Sequence, residues 1–223
     1  MKIIKWGYVV TAILLVVASF VFLFGISFEM AGVFDIETPK ANSEHIVETI
    51  EEIDYKSFPI DEQIYDALIK FGISPAGACG ILANAKAESD LQPDNLENFY
   101  NRKFSLSNAE YTALADRGEI DFVHDAAGYG LWQFTYYSFK QVLLDAAKVK
   151  KTSVSDIGTQ VEVLVKILET PEFSKLFKFL KTTDSPEEAA KEFMLVFERP
   201  ANQSESAIAI RAVFATEFYK IFN

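Results

Sequence analysis

Cysteine, histidine and basic charge are all scarce in this chain. Cys79 is the one cysteine in 223 residues, so no intrachain disulfide can form. That leaves the compartment open, because a domain of this size can be stable without bridges. With two histidines, His45 and His124, no spacing suits a structural zinc site, and neither a metal nor a cofactor is expected. Lysine plus arginine number 21 against 32 acids, for a net charge of −11. A nucleic-acid binder would show a basic face, so the charge argues against that class. It argues equally against holding anionic polymers or lipids by bulk electrostatics. What the chain has in quantity is apolar: half of its residues are hydrophobic, including 20 Phe and 9 Tyr. That suits one well-packed domain plus an appendage.

The appendage is at the front, in "MKIIKWGYVVTAILLVVASFVFLFGISFEM". No charged residue occurs from Tyr8 to Ile26, a run that as a helix spans about 30 Å, the thickness of a bilayer's hydrocarbon core. Lys2 and Lys5 precede it, whereas Glu29, Asp35 and Glu37 follow. The positive-inside rule then puts residues 1–7 in the cytoplasm, 8–26 across the membrane and the rest outside. A cleaved signal peptide is the competing reading. Its apolar core is normally shorter, and Glu29 stands badly at the minus-three position of a cut after Ala31. A retained anchor fits better, and cleavage would make the protein secreted. Residues 27–59 are acidic and poor in large apolar side chains, which reads as a solvated tether.

From residue 60 to 223 helical patterning dominates. "DEQIYDALIKFG" places Ile64, Leu68 and Phe71 at helical spacing before Gly72. Ser74 and Pro75 form an N-cap and first-turn pair for a helix over 75–88. Ser107 and Glu110 stand at capping-box spacing, with Gly118 as the stop. Further helices are predicted over 137–148, 155–168, 172–181, 187–197 and 205–222. The longest stretches without strong helix signals are 90–105 and 119–135, where any small β lobe must lie.

The helix over 75–88 is built almost wholly of alanine and glycine. Such a helix makes a poor amphipathic surface element and a good rod between close neighbours, so it is expected to be central and buried. Ile81, Ala85 and Glu88 fall on one stripe, and Glu88 emerges where the rod ends. Partial burial and the negative end of the helix dipole both push a carboxyl upward there, as a general acid requires. A solvated acid at a frayed helix end is the plain alternative.

"FVHDAAGYGLWQFTYYS" (122–138) shifts that balance. Gly128 and Gly130 bracket Tyr129 and permit a tight backbone path. Trp132, Phe134, Tyr136 and Tyr137 follow, interleaved with Gln133 and Thr135. Aromatic faces with amide and hydroxyl groups suit a groove for neutral polar polymers such as sugars. Ordinary core packing accounts better for Leu131 and Phe134.

Taken together, "AES" at a helix end with Pro93 after it, the 122–138 segment, and "FERPANQS" (197–204) followed by Arg211 and Ala212 resemble the phage-tail-type lysozyme family. That family lies within the lysozyme and lytic-transglycosylase superfamily, whose members cut the glycan strands of peptidoglycan. The resemblance runs over about 60–222 and is specific as a combination, whereas "AES" alone is weak. It implies a mainly α, lysozyme-like α+β fold, with a helical two-lobed body, a small irregular or β lobe and a cleft. Glu88 would be the acid that protonates the glycosidic oxygen. The "GYGLWQFT" segment would line the cleft, giving Tyr129, Gln133, Thr135 and Tyr136 as substrate-binding candidates. Trp132 and Phe134 depart from the usual string, which has a small residue before the glutamine and Trp after it.

A second carboxylate would stabilise the transition state or activate water. Asp125 is the first candidate for it, ahead of Asp121, Glu119 and Asp90, with His124 orienting Asp125. Glu198 and Arg199 read as an ion pair or C-cap. The expected activity is therefore a membrane-anchored, muramidase-like peptidoglycan glycosidase, with a lytic transglycosylase as the alternative. A glycan-binding scaffold that has lost turnover is the rival from another class, and a structural subunit of a secretion complex ranks last. Expected partners are peptidoglycan strands, the membrane, and a cell-envelope, conjugation or phage apparatus, with no nucleic acid.

Overall fold

The structure, a computed structural model, describes residues 59–223. The proposed cytoplasmic, anchor and tether segments (1–7, 8–26 and 27–59) lie outside the described residues, apart from Pro59.

Five of the helix starts are written in single polar residues. Ser74, Ser107, Asp156, Ser185 and Ser204 each accept a hydrogen bond from the backbone N–H three residues on. Each such cap is worth about 1 kcal/mol. The helices are α1 (Ile60–Lys70), α2 (Pro75–Ser89), α3 (Asn98–Phe104), α4 (Asn108–Arg117), α5 (Tyr137–Lys150) and α6 (Ile157–Leu168). They continue with α7 (Ser174–Leu180), α8 (Pro186–Phe193) and α9 (Glu205–Phe222). A five-residue π-helical turn, Met194–Glu198, runs on directly from α8. The expected capping box is complete, with the Glu110 carboxylate accepting from the Ser107 N–H at 2.8 Å.

The small-residue rod is the central element. Every residue from Ala76 to Ala85 is buried, and α2 packs against α1, α7, α8 and α9. Close approach is the reason for its glycines. A Cβ on Gly77 would lie 2.0 Å from the Leu180 carbonyl oxygen, and one on Gly80 would lie 2.4 Å from Ala189 Cβ. Ala83, Ala190 and Ala215 make a second all-alanine contact among α2, α8 and α9. Asn84 fastens the same three helices. Its side-chain amide donates to Gly80 O at 2.8 Å and Ala190 O at 2.9 Å, while its oxygen accepts from Arg211 Nε at 2.8 Å.

No strand occurs among the described residues, so this part of the chain is mainly α. The stretches reserved for a β lobe form something smaller. Residues 90–97 and 119–136 meet in one isolated antiparallel bridge, Leu96 with Tyr129. Glu97 N–H donates to Gly128 O and Gly130 N–H to Asn95 O, each at 2.9 Å. Part of the stretch is helical as α3, whose start has no side-chain cap to signal it. Residues 187–197, read as one α-helix, divide into α8 and the wider π turn. A one-residue insertion in an α-helical register rotates the downstream side chains by about 100°.

Candidate active site

Glu88 stands one residue before the end of α2, and Asp90 closes that helix in a left-handed conformation (φ 54°). Ser89 holds the end in place, donating to both Ala85 O (2.9 Å) and Leu131 O (3.0 Å). Glu88 therefore projects from a fixed helix end, with its side chain 23% exposed. It lines a cleft of about 550 Å³, together with Asn95, Glu97, Gln133, Thr135 and Glu198. Trp132, Phe99, Pro200 and Ala201 supply the apolar part of that lining. A second hollow of about 410 Å³, between α1 and the start of α6, includes neither Glu88 nor Glu198.

The electrostatics of the cleft centre on Arg211, delivered by α9 and nearly buried. Its Nη2 pairs with Glu88 Oε1, its Nε donates to Asn84, and its Nη1 donates to Ala207 O at 3.3 Å. The same Nη2 lies 3.7 Å from Glu198 Oε2. The Glu198 side chain is only 4% exposed, and neither of its oxygens has a hydrogen-bond partner. Burial first, and then the charge of Glu88 beside it, raise this carboxyl well above the usual range, against the pull of Arg211. Its expected partner Arg199 turns away, donating to Val196 O (2.8 Å) and pairing with Glu172 (3.3 Å).

The glycine-rich segment is stitched down by its own chain. Gly128 leaves room for the Gln133 side chain, whose oxygen would lie 2.8 Å from a Cβ there. Gly130, at φ 79°, leaves room for Gln160, 2.6 Å from the same test atom. Gln160 uses that clearance to accept from Leu131 N at 2.9 Å and donate to Pro93 O and Val154 O. The Trp132 indole N–H donates to Ile81 O at 3.2 Å, joining the segment to α2.

The sequence candidates separate accordingly. Glu88, Gln133 and Thr135 are brought together at the cleft. Gln133 is partly committed, since its amide nitrogen donates to Asn95 O and Gly130 O. Tyr129 is fully buried among Tyr111 and Phe122, with its hydroxyl 2.6 Å from Thr112 Oγ1, and does not face the cleft. Tyr136 is 61% exposed but outside the cleft lining, its ring set against Phe139.

Asp125 is withdrawn altogether. Lys140, fully buried, donates to its Oδ1 at 2.5 Å, the Tyr111 hydroxyl donates to Oδ2, and Ala127 N–H adds 3.0 Å. A carboxylate with these partners anchors the 119–136 loop and is not part of the cleft. The weaker candidates are exposed halves of surface pairs: Asp121 with His124 (2.9 Å), Glu119 with Arg117 (2.8 Å) and Asp90 with Lys86. His124 thus orients Asp121, not Asp125. Among the described residues no group of histidines, cysteines and acids is arranged to hold a metal ion. Cys79 is buried, which pushes its thiol up to about 12 and leaves it inert.

A sequence model of the phage tail lysozyme family matches residues 60–222. The chain belongs to the phage tail lysozyme family. Comparison with curated proteins gives no match. As a phage tail lysozyme family member it carries a lysozyme-like, peptidoglycan-cleaving function in general terms. The matched region contains the whole cleft lining, from Glu88 to Ala201, and Arg211 beside it. Sequence reasoning misses the place of Glu97 in the cleft lining and of Arg211 beside Glu88. Glu97 sits in the stretch without helix signals, and nothing near Arg211 in the chain marks Glu88 as its partner.

Proposed function

We propose that the chain is a peptidoglycan glycan-strand-cleaving glycosidase in which Glu88 is the general acid. The observation that carries this reading is the position of Glu88, half-shielded in a cleft at the rigid end of a buried helix. A proton donor needs a fixed place beside the leaving oxygen, and α2 supplies one through its packing and the Ser89 bonds. Asn95, Gln133 and Thr135 offer amide and hydroxyl groups for sugar hydroxyls, and Phe99, 55% exposed, offers an aromatic face.

The second carboxylate in this reading is Glu97, since Asp125 is held by Lys140. Glu97 lines the cleft and accepts from Gly128 N–H at 3.1 Å, which fixes one of its oxygens. The withdrawal of Asp125 favours a second reading, lytic transglycosylation. There the substrate's own hydroxyl attacks and Glu88 makes both proton transfers. Residues 8–26 anchor the enzyme with the catalytic domain outside the membrane. Among the described residues no helix is long and apolar enough to cross one.

The test is clearing of peptidoglycan in a gel by the full-length chain and by Glu88→Gln. Loss of clearing in the variant is expected, and undiminished clearing sinks the assignment of Glu88. Mass spectrometry of the fragments separates the two reactions, because anhydro ends lack one water relative to reducing ends.

A further inference from the structure

Glu198 is a buried acid with no hydrogen bond, placed against the guanidinium that holds Glu88. The π turn brings it there at the end of α8, and only its backbone reaches the surface. Both oxygens are shut from water without a hydrogen bond, Oε2 having only the Arg211 guanidinium at 3.7 Å, yet Glu198 belongs to the lining of the cleft. A structural acid would normally be hydrogen-bonded or replaced by an apolar residue, since a half-satisfied buried charge is unfavourable.

The charges nearby define what it can do. Glu88 faces it from α2 and Arg211 from α9. Glu97, just before α3, lines the same cleft. On its own turn Arg199 is engaged with Glu172 and Val196 O. Two acids thus share one guanidinium whose Nε and Nη1 are already committed, leaving Nη2 for both.

We propose that Glu198 is a positioning residue for Glu88, acting through the Arg211 guanidinium that both acids share. The proposal rests on Glu88 being the acid at this cleft. While Glu198 keeps its proton, Nη2 is drawn to the Glu88 carboxyl alone and Glu88 is held at a single place. When Glu198 ionises it competes for the same Nη2, and Glu88 loses its fixed position. Burial and the neighbouring charge set the pH at which that happens, so the alkaline limit of activity follows Glu198.

The experiment is the pH profile of kcat/KM for full-length wild type and Glu198→Gln on solubilised peptidoglycan. Glutamine has the same shape and never ionises. The comparison is of the shape of each profile, normalised to its own maximum. The variant's alkaline limb should move up by about one pH unit or more. A superimposable alkaline limb overturns the proposal.

If the variant does not fold, carboxyl carbon NMR of the wild-type chain decides, with Glu88→Gln used only for assignment. The Glu88 signal should show an inflection at the pH where Glu198 titrates, and its absence overturns the coupling. This measurement does not read activity. A coupled titration in a protein whose Glu88→Gln variant still cuts peptidoglycan would defeat the acid assignment alone.

Discussion

Asp125→Asn separates a catalytic aspartate from a structural one. Its partner Lys140 is completely buried, and the ammonium is held by Asp125 Oδ1, Ala127 O and the Tyr111 hydroxyl. Burial lowers the affinity of Lys140 for its proton, and Asp125 works in the opposite direction. Removing the carboxylate leaves a buried cation without its counter-charge, which costs about 3–5 kcal/mol. At roughly 2–4 °C per kcal/mol for a domain of this size, the melting temperature should fall by about 6–20 °C. Activity per folded molecule should be little changed below the new melting transition. The double variant Asp125→Asn, Lys140→Met should recover much of the loss, because an apolar replacement of the pair removes the stranded charge. Thermal melting by circular dichroism, with turbidity clearing of cell walls, reads both quantities. Normal melting with abolished clearing in Asp125→Asn would refute the reasoning and return Asp125 to the reaction.

Three further outcomes are expected. Gly77→Ala gains about 1 kcal/mol of helix propensity but drives a Cβ into the Leu180 carbonyl, which costs about 3 kcal/mol. A net loss of roughly 2 kcal/mol should appear in denaturant titration. Glu97→Gln should lower hydrolysis by about 100-fold or more with no change in melting, whereas an unimpaired variant points to transglycosylation. Glu198 has its carboxyl raised in the folded state, so it binds more protons folded than unfolded. Its stabilising contribution is complete below the ordinary glutamate range near about pH 4.3 and is lost as pH rises through its folded value. Glu198→Gln should therefore show a flatter dependence of melting temperature on pH across that window, which a series of scans from acid to alkaline pH measures.

The features legible in the sequence are those fixed within a few residues. Ser74 and Ser107 are caps whose partners lie three positions away. The buried course of α2 follows from its composition, because a helix of alanine and glycine has little to offer water. The readings that failed depend on partners distant in the chain. Asp125 is claimed by Lys140 and Tyr111, and a lysine on the inner face of α5 breaks the pattern that periodicity reads. The glycines around Tyr129 signalled close approach correctly, but the approaching groups are Gln133 and Gln160 of the same chain, which turns Tyr129 inward. Glu198 carries no local signal, since its neighbour Arg199 is the obvious partner and the π turn points it instead toward Arg211.

Arg211 also sets an order of events. The ribosome makes Glu88 long before the helix that brings its guanidinium, and α9 supplies one whole side of the groove in which α2 lies. A nascent chain halted before that helix has its acid without Arg211 and Ala83 without its neighbour Ala215. The cleft lining ends at Ala201, so a product truncated ahead of α9 keeps that lining but leaves Glu88 without its guanidinium.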